Sequence, residues 1–202
     1  MFGLPKTTEL ARALPKKAIF DKFKPCAADR QRFDADIQHL TIVGEVSTAT
    51  TGIAAGDSGK AFYVVLVSLR DAECDAKNLA LLSRLTGQNM LFVLEHHGMV
   101  RLAAFRAGKV LESADKPLTE WRLSLTGLNL DTVWENIIAE IGSVTVAEGR
   151  TLDQQILADD ERAKLLKRVE ELEARARKEK QPYRKLELAE EAQQLKYQLK
   201  DS

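Results

Sequence analysis

The chain has 202 residues, 45% hydrophobic and 30% charged, with 30 basic residues against 30 acidic ones. That is enough for one ordinary domain plus an appendage, and the composition excludes a wholly disordered chain. The longest apolar run, Ala61–Val67, is far short of the ~20 residues that span a bilayer, and two cysteines, Cys26 and Cys74, cannot build a disulfide framework or a four-thiolate zinc site. The first fifteen residues break their apolar content with Pro5, Lys6, Glu9 and Arg12, so no secretory segment is expected and a cytoplasmic protein is. The zero net charge is unevenly distributed. Residues 1–25 hold six basic residues and two acidic, residues 175–202 hold eight and five, and the middle therefore carries the acidic excess.

Taken in chain order, Pro5 and Pro15 frame a stretch that predicts a short helix of about two turns. A second helix is expected over 27–37, where Phe33 and Ile37 share a face. The period then changes. His39–Val46, Ala61–Leu69, Met90–Glu95, Val100–Phe105 and Glu120–Leu125 read as strands. The second and third are nearly all apolar, as central strands covered on both faces would be. Ala72, Ala76, Leu79 and Leu82 recur at helical spacing between them, so this strand, helix, strand succession predicts a right-handed parallel crossover. His97-Gly98 between the next two strands predicts a tight hairpin. Beyond Gly127, Asn129 or Asp131 can cap a helix through Ile141 with a wide apolar face.

From Thr151 onward the chain lacks glycine and is dense in Leu, Ala, Glu, Lys, Arg and Gln. Ala158, Arg162, Leu165, Val169, Leu172 and Ala176 step by four and three, as do Leu188, Ala192, Leu195 and Leu199. The two seams are out of phase. Continuing the first one lands on Glu179, Tyr183, Leu186 and Glu190, and Pro182 lies at the break. The expected fold is α+β: a mixed sheet of about five strands flanked by helices over 1–150, followed by a helical hairpin or coiled-coil arm over 151–202. Kinked helices zipping against another subunit are the alternative for the arm.

The seam residues Leu165, Val169, Leu172, Leu188, Leu195 and Leu199 are the candidate partner interface, with a second copy or a larger protein as partner. At the hairpin tip, residues 175–185 carry Arg175, Arg177, Lys178, Lys180, Arg184 and Lys185 against Glu179 alone, with Tyr183 beside them. Such a cluster could lie on a phosphate backbone. The plain reading is that cations gather at the C-terminal end of one helix because its dipole favours them. Lys6, Lys16 and Lys17, with the Thr7 and Thr8 hydroxyls, form a possible second contact, unless the threonines only cap the short helix.

Chemistry is sparsely signalled. Gly52–Lys60 has glycines and a lysine but neither the spacing nor the following helix of a phosphate loop. His96 and His97 are adjacent, so on a strand they would face opposite ways, and both are expected in the hairpin. Glu95, His96 and His39 would meet only if the first and third strands were neighbours. Cys26 and Cys74 read as small buried hydrophobes. A metal-dependent nuclease would need an acidic strand residue and a nearby Glu/Gln-x-Lys. Glu45, Glu95 and Glu120 lack the lysine, and Gln194-Leu195-Lys196 and Gln198-Leu199-Lys200 lie in the arm. The expectation is a non-enzymatic interaction module with no cofactor and no metal, a nucleic-acid binder as the alternative, and a cryptic nuclease behind both.

Four segments, Leu4-Pro5-Lys6-Thr7-Thr8-Glu9, Thr119-Glu120-Trp121, Gly127–Asn136 and Ala176–Pro182, together resemble an uncharacterised bacterial and archaeal family. Members of that family often sit in loci encoding helicases, DNA methyltransferases and restriction subunits. The resemblance thus implies an accessory protein of a DNA-modification or phage-defence system, with a helicase- or methyltransferase-type subunit as partner. It carries over no catalytic residue, and the sequence departs from the family pattern around Gly44–Gly59.

Overall fold

A computed structural model describes residues 2–85 and 87–201. The chain forms two compact units, Met1–Thr145 and Val146–Ser202. The first runs β1 (Glu9–Ala13), α1 (Lys16–Phe23), α2 (Ala27–Asp36), β2 (Ile37–Ser47), α3 (Thr48–Thr51), β3 (Ala61–Leu69), α4 (Ala76–Leu82), β4 (Asn89–His96), β5 (Met99–Arg106), β6 (Lys109–Glu112), β7 (Lys116–Pro117) and α5 (Leu130–Gly142). The second is a helical hairpin of α6 (Leu152–Lys178) and α7 (Pro182–Asp201). The fold is mixed α+β.

The seven described strands form one open sheet in the order β1-β2-β3-β4-β5-β6, with β7 also pairing with β5. Only β3 and β4 are parallel, and the crossover through α4 joins them as the sequence predicts. They are the two most apolar strands and they sit in the middle, where side chains on both faces are covered. On one face, Val65, Val67, Phe92 and Leu94 pack with Ile19 of α1, Phe33 of α2 and Leu79 and Leu82 of α4. On the other, Val64, Leu91 and Val93 are buried, and α5 sets Trp134 against Phe62 with ring centroids 5.2 Å apart. The apolar face of α5 is thereby used up in the body core. Asn129 caps that helix, its side-chain oxygen accepting from the Thr132 amide at 2.9 Å.

The β4–β5 hairpin turns at His97 and Gly98, both with positive φ (50° and 81°), which is the backbone a two-residue turn between twisted strands requires. Two sequence expectations fail nearby and at the amino end. Residues 9–13, expected as helix, follow a 3-10 turn (Lys6–Thr8) and pair with β2 as an edge strand, exposed at every position. No local periodicity announces such a strand. It exists because β2 has a free edge whose amides and carbonyls need partners. Residues 120–125, expected as a strand, lie outside the sheet after a 3-10 turn (Leu118–Glu120). Their alternation is nevertheless real, since Trp121 and Leu123 are buried. The Trp121 indole donates to the Val100 carbonyl at 3.0 Å, and the Leu123 amide donates to the Phe2 carbonyl. The sheet also has more strands than the expected five, because β1, β6 and β7 are too short to show a period.

Candidate functional site

In the body, the sheet order separates the candidate catalytic side chains. β3 lies between β2 and β4, so His39 and Glu95 flank Ser68 rather than meeting, about 10 Å apart at two strand spacings. Glu45 stands in register with Tyr63 and hence Met90, five residues from Glu95 along the sheet, or about 16 Å. Glu120 lies in a turn off the sheet. Glu95 folds onto its own hairpin, accepting from the Gly98 amide at 3.0 Å. His96 and His97 do lie at the hairpin, and their rings stack edge to face with centroids 4.2 Å apart. Among the described residues no group of three or more His, Cys, Asp or Glu side chains is placed to hold a metal ion.

Two clusters in the body are completed only by the fold. An open cleft of about 320 Å³ at the carboxyl ends of β3 and β4 is lined by Leu69, Leu94, His96, His97, Met99 and Arg101, among others. Its guanidinium is already occupied: Arg101 donates to Glu112 at 2.8 Å and to Asp115 at 3.3 Å, and these carboxylates raise its pKa further. The second cluster is the Gly52–Lys60 loop. Gly56 lies so close to Asp131 in the first turn of α5 that a Cβ there would fall 2.1 Å from the Asp131 Cγ. The same carboxylate accepts from the Ser58 amide at 2.8 Å. A carboxylate of the chain itself therefore fills the space in which a loop of this composition could have cradled an anion. No spacing rule links residues 56 and 131, since only the tertiary fold brings them together.

Neither cysteine is simply a buried hydrophobe. Cys26 is exposed at the start of α2, because it occupies a helix-entry position rather than a core-facing one. Cys74 is half-buried, and burial, reinforced by the nearby Asp36, pushes its thiol up to about 12. At the amino end, Thr7 donates to the Thr50 carbonyl and Thr8 to the Pro5 carbonyl. Neither hydroxyl caps a helix of the expected kind, because that helix does not form. Lys16 donates to Asp34 at 2.7 Å, which leaves Lys6 and Lys17 of the three amino-terminal lysines.

In the arm, α6 begins with a capping box in which Thr151 and Gln154 satisfy each other's backbone amides. The candidate seam closes inside the hairpin: Val169, Leu172, Ala176 and Ala192 are buried, and Leu165, Leu188, Leu195 and Leu199 are half-buried. Arg168–Glu191 (3.2 Å) and Lys196–Glu173 (2.6 Å) bridge the two helices. The hydrogen-bonded Lys196 ammonium holds the Glu173 carboxyl below its usual range. Because the second seam faces the first, the out-of-phase continuation turns outward. Tyr183, Leu186 and Tyr197 lie on the far side of α7, 75%, 57% and 58% exposed.

The six tip cations divide between the elements. Arg175, Arg177 and Lys178 end α6, Lys180 lies in the turn, and Arg184 and Lys185 open α7; all six are exposed. Arg175, Lys178 and Arg184 share an open cleft of about 530 Å³ with Glu179, Glu187, Leu188 and Glu191. Glu179 turns its carboxylate onto the amides of Gln181 and Lys180 (3.0 and 2.8 Å), which holds its pKa below the usual range.

The family model described as "Domain of unknown function (DUF4391)" matches residues 2–199. The chain belongs to this family. No curated protein and no solved structure matches it. The match covers both the sheet of the body and the two helices of the arm, so the arm is part of the family's domain and not an appendage outside it. Among the described residues no helix is long and apolar enough to cross a membrane.

Proposed function

We propose that this chain is a non-enzymatic interaction module whose arm docks a larger protein, serving as a cytoplasmic accessory of a DNA-modification or phage-defence system. The carrying observation is the outward face of α7. Tyr183, Leu186 and Tyr197 remain more than half exposed after the hairpin has closed its own seam. Tyr183 and Leu186 stand near one end of that face and Tyr197 near the other, with the exposed Glu190 and Gln193 between them, so a partner helix would take them as spaced apolar anchors. The occupant is a different protein rather than a second copy. An antiparallel pairing that sets Tyr183 against Tyr197 would put the exposed Glu190 against its own equivalent, and a parallel pairing would bring two six-cation tips together. A helicase- or methyltransferase-type subunit, as the family resemblance implies, fits this requirement.

Replacing Tyr183, Leu186 and Tyr197 together with serine changes only exposed positions. The wild-type chain, used as bait in an extract of its host and analysed by mass spectrometry, is expected to retain one protein in stoichiometric amount. The triple variant is expected to lose it while keeping its helical circular dichroism. Retention of the same protein by the triple variant would refute the docking face. A wild-type dimer in light scattering that becomes a monomer on triple substitution would overturn the choice of occupant.

A further inference from the structure

The dipole argument that accounts for a cationic helix end covers only half of the arm tip. Arg175, Arg177 and Lys178 occupy the last turn of α6, where the partial negative charge of the helix terminus welcomes them. Arg184 and Lys185 occupy the first turn of α7, which holds no acidic residue. There the terminus is partially positive, and cations are disfavoured. A tip selected for stability alone would place Asp or Glu at these positions, as Asp153 is placed in the first turn of α6.

None of the six cations forms an ion pair with a described carboxylate, whereas Lys164, Arg168 and Lys196 further along the arm pair with Asp160, Glu191 and Glu173. The one acid within the tip, Glu179, is turned onto the backbone of the bend. What remains is a strongly basic tip drawn from two helix ends and the turn between them, in which Glu173 and Glu179 act on Arg177 and Arg184 through space without closing an ion pair with either. Such a surface is complete only with an anion that can reach all of it.

We propose that the arm tip is a docking site for the phosphate backbone of double-stranded nucleic acid, bound without regard to sequence. Two adjacent helices are about 20 Å across, too wide for one phosphate group to touch more than two or three of the six side chains. A duplex, with a charge every ~1.7 Å of its axis, offers each of them a partner. Arg175, Arg177 and Arg184 supply forked donors that match phosphate oxygens, and Lys178, Lys180 and Lys185 supply point charges. Glu187 and Glu191 line the cleft behind Arg175, Lys178 and Arg184, so the backbone lies across the tip and does not enter between the helices. Tyr183 is the one large aromatic side chain exposed at the tip, and a single tyrosine is too little apolar surface to seat the tip in a membrane. This contact uses the end of the arm, and the protein contact proposed above uses the outer face of α7, so the two can fail separately.

The test is fluorescence anisotropy of the full chain with a labelled duplex of about 20 base pairs and arbitrary sequence. If about six phosphates are engaged, affinity should fall roughly a thousandfold between about 50 and 200 mM salt. Substituting Arg175, Lys178, Arg184 and Lys185 with glutamine should weaken binding at least tenfold at the lower salt and reduce the logarithmic salt slope by about four. Replacing Arg162, Lys164 and Lys167 on the arm's shaft with glutamine should leave both nearly unchanged. Circular dichroism of both variants should match the wild type, since every substituted side chain is exposed. No binding at about 50 mM salt, or a tip variant with the wild-type slope, would overturn the proposal. So would tighter binding to a single strand of the same length, or to vesicles of roughly 30% phosphatidylserine in phosphatidylcholine.

Discussion

Leu172→Ala tests whether the heptad seam is spent within the arm. Leu172 is 1% exposed, and its neighbours Val169, Ala176 and Ala192 are buried with it. Truncating a buried leucine forfeits about 1.5–3 kcal/mol of transfer free energy, and an unrelaxed cavity raises the total to 2–5. Two helices joined by one turn can close part of the gap by shifting toward each other. The lower part of the range, about 2–3 kcal/mol, is therefore expected for the arm. In amide hydrogen exchange this is a loss of protection of roughly 30- to 140-fold across residues 165–176 and 188–199. Leu166→Ala, one residue away from Leu165 but 47% exposed, should change protection less than about threefold. Fluorescence of Trp121 and Trp134, both in the body, checks that the body stays folded in each variant. Equal effects of the two substitutions, or an effect of Leu166→Ala alone, would refute the assignment of the seam and with it the outward placing of Tyr183, Leu186 and Tyr197.

Two further outcomes follow from the body. Gly56→Ala drives a methyl group into the Asp131 carboxylate and should cost about 1–3 kcal/mol in urea unfolding. The same substitution made in an Asp131→Ala background should cost clearly less, and an equal cost in both backgrounds would show that the two residues do not touch. A thiol reagent at pH 8 should modify exposed Cys26 rapidly and Cys74 only after unfolding, because the Cys74 thiol is half-buried and titrates near 12. The raised pKa also sets the sign of a pH effect. Below about pH 9 both folded and unfolded chains keep the Cys74 proton, and between about 9 and 12 only the unfolded chain releases it. Stability should therefore decline over that interval, and Cys74→Ala should remove this part of the decline.

Much of the fold could be read from residues because it rests on patterns that neighbours in sequence enforce. β3 and β4 announce themselves by continuous apolar runs, the hairpin by His97-Gly98, α5 by Asn129 and its wide apolar face, and the hairpin of the arm by two seams out of phase at Pro182. β1 could not be read, since its five exposed residues gain their conformation from the edge of β2 and not from their own pattern. Residues 120–125 show the opposite error: alternation reports burial of Trp121 and Leu123, and whether a strand pairs depends on which edge is free. The site divides in the same way. The count of basic residues at 175–185 was legible, but their plain explanation depended on placing them all at one helix end. The structure puts two of them at the opening turn of α7, where that explanation fails.

By itself, the sequence determined that the chain would make an α/β body and a charged helical hairpin, because periodicity, caps and prolines act over a few residues and need no distant partner. Only the tertiary structure decided that β3 would stand between His39 and Glu95, that Asp131 would fill the Gly56 loop, and that the leading seam would close on α7 and turn Tyr183, Leu186 and Tyr197 outward. Each of these joins groups tens of residues apart, and which groups meet there is set by strand order and by the packing of whole faces, which no local pattern encodes.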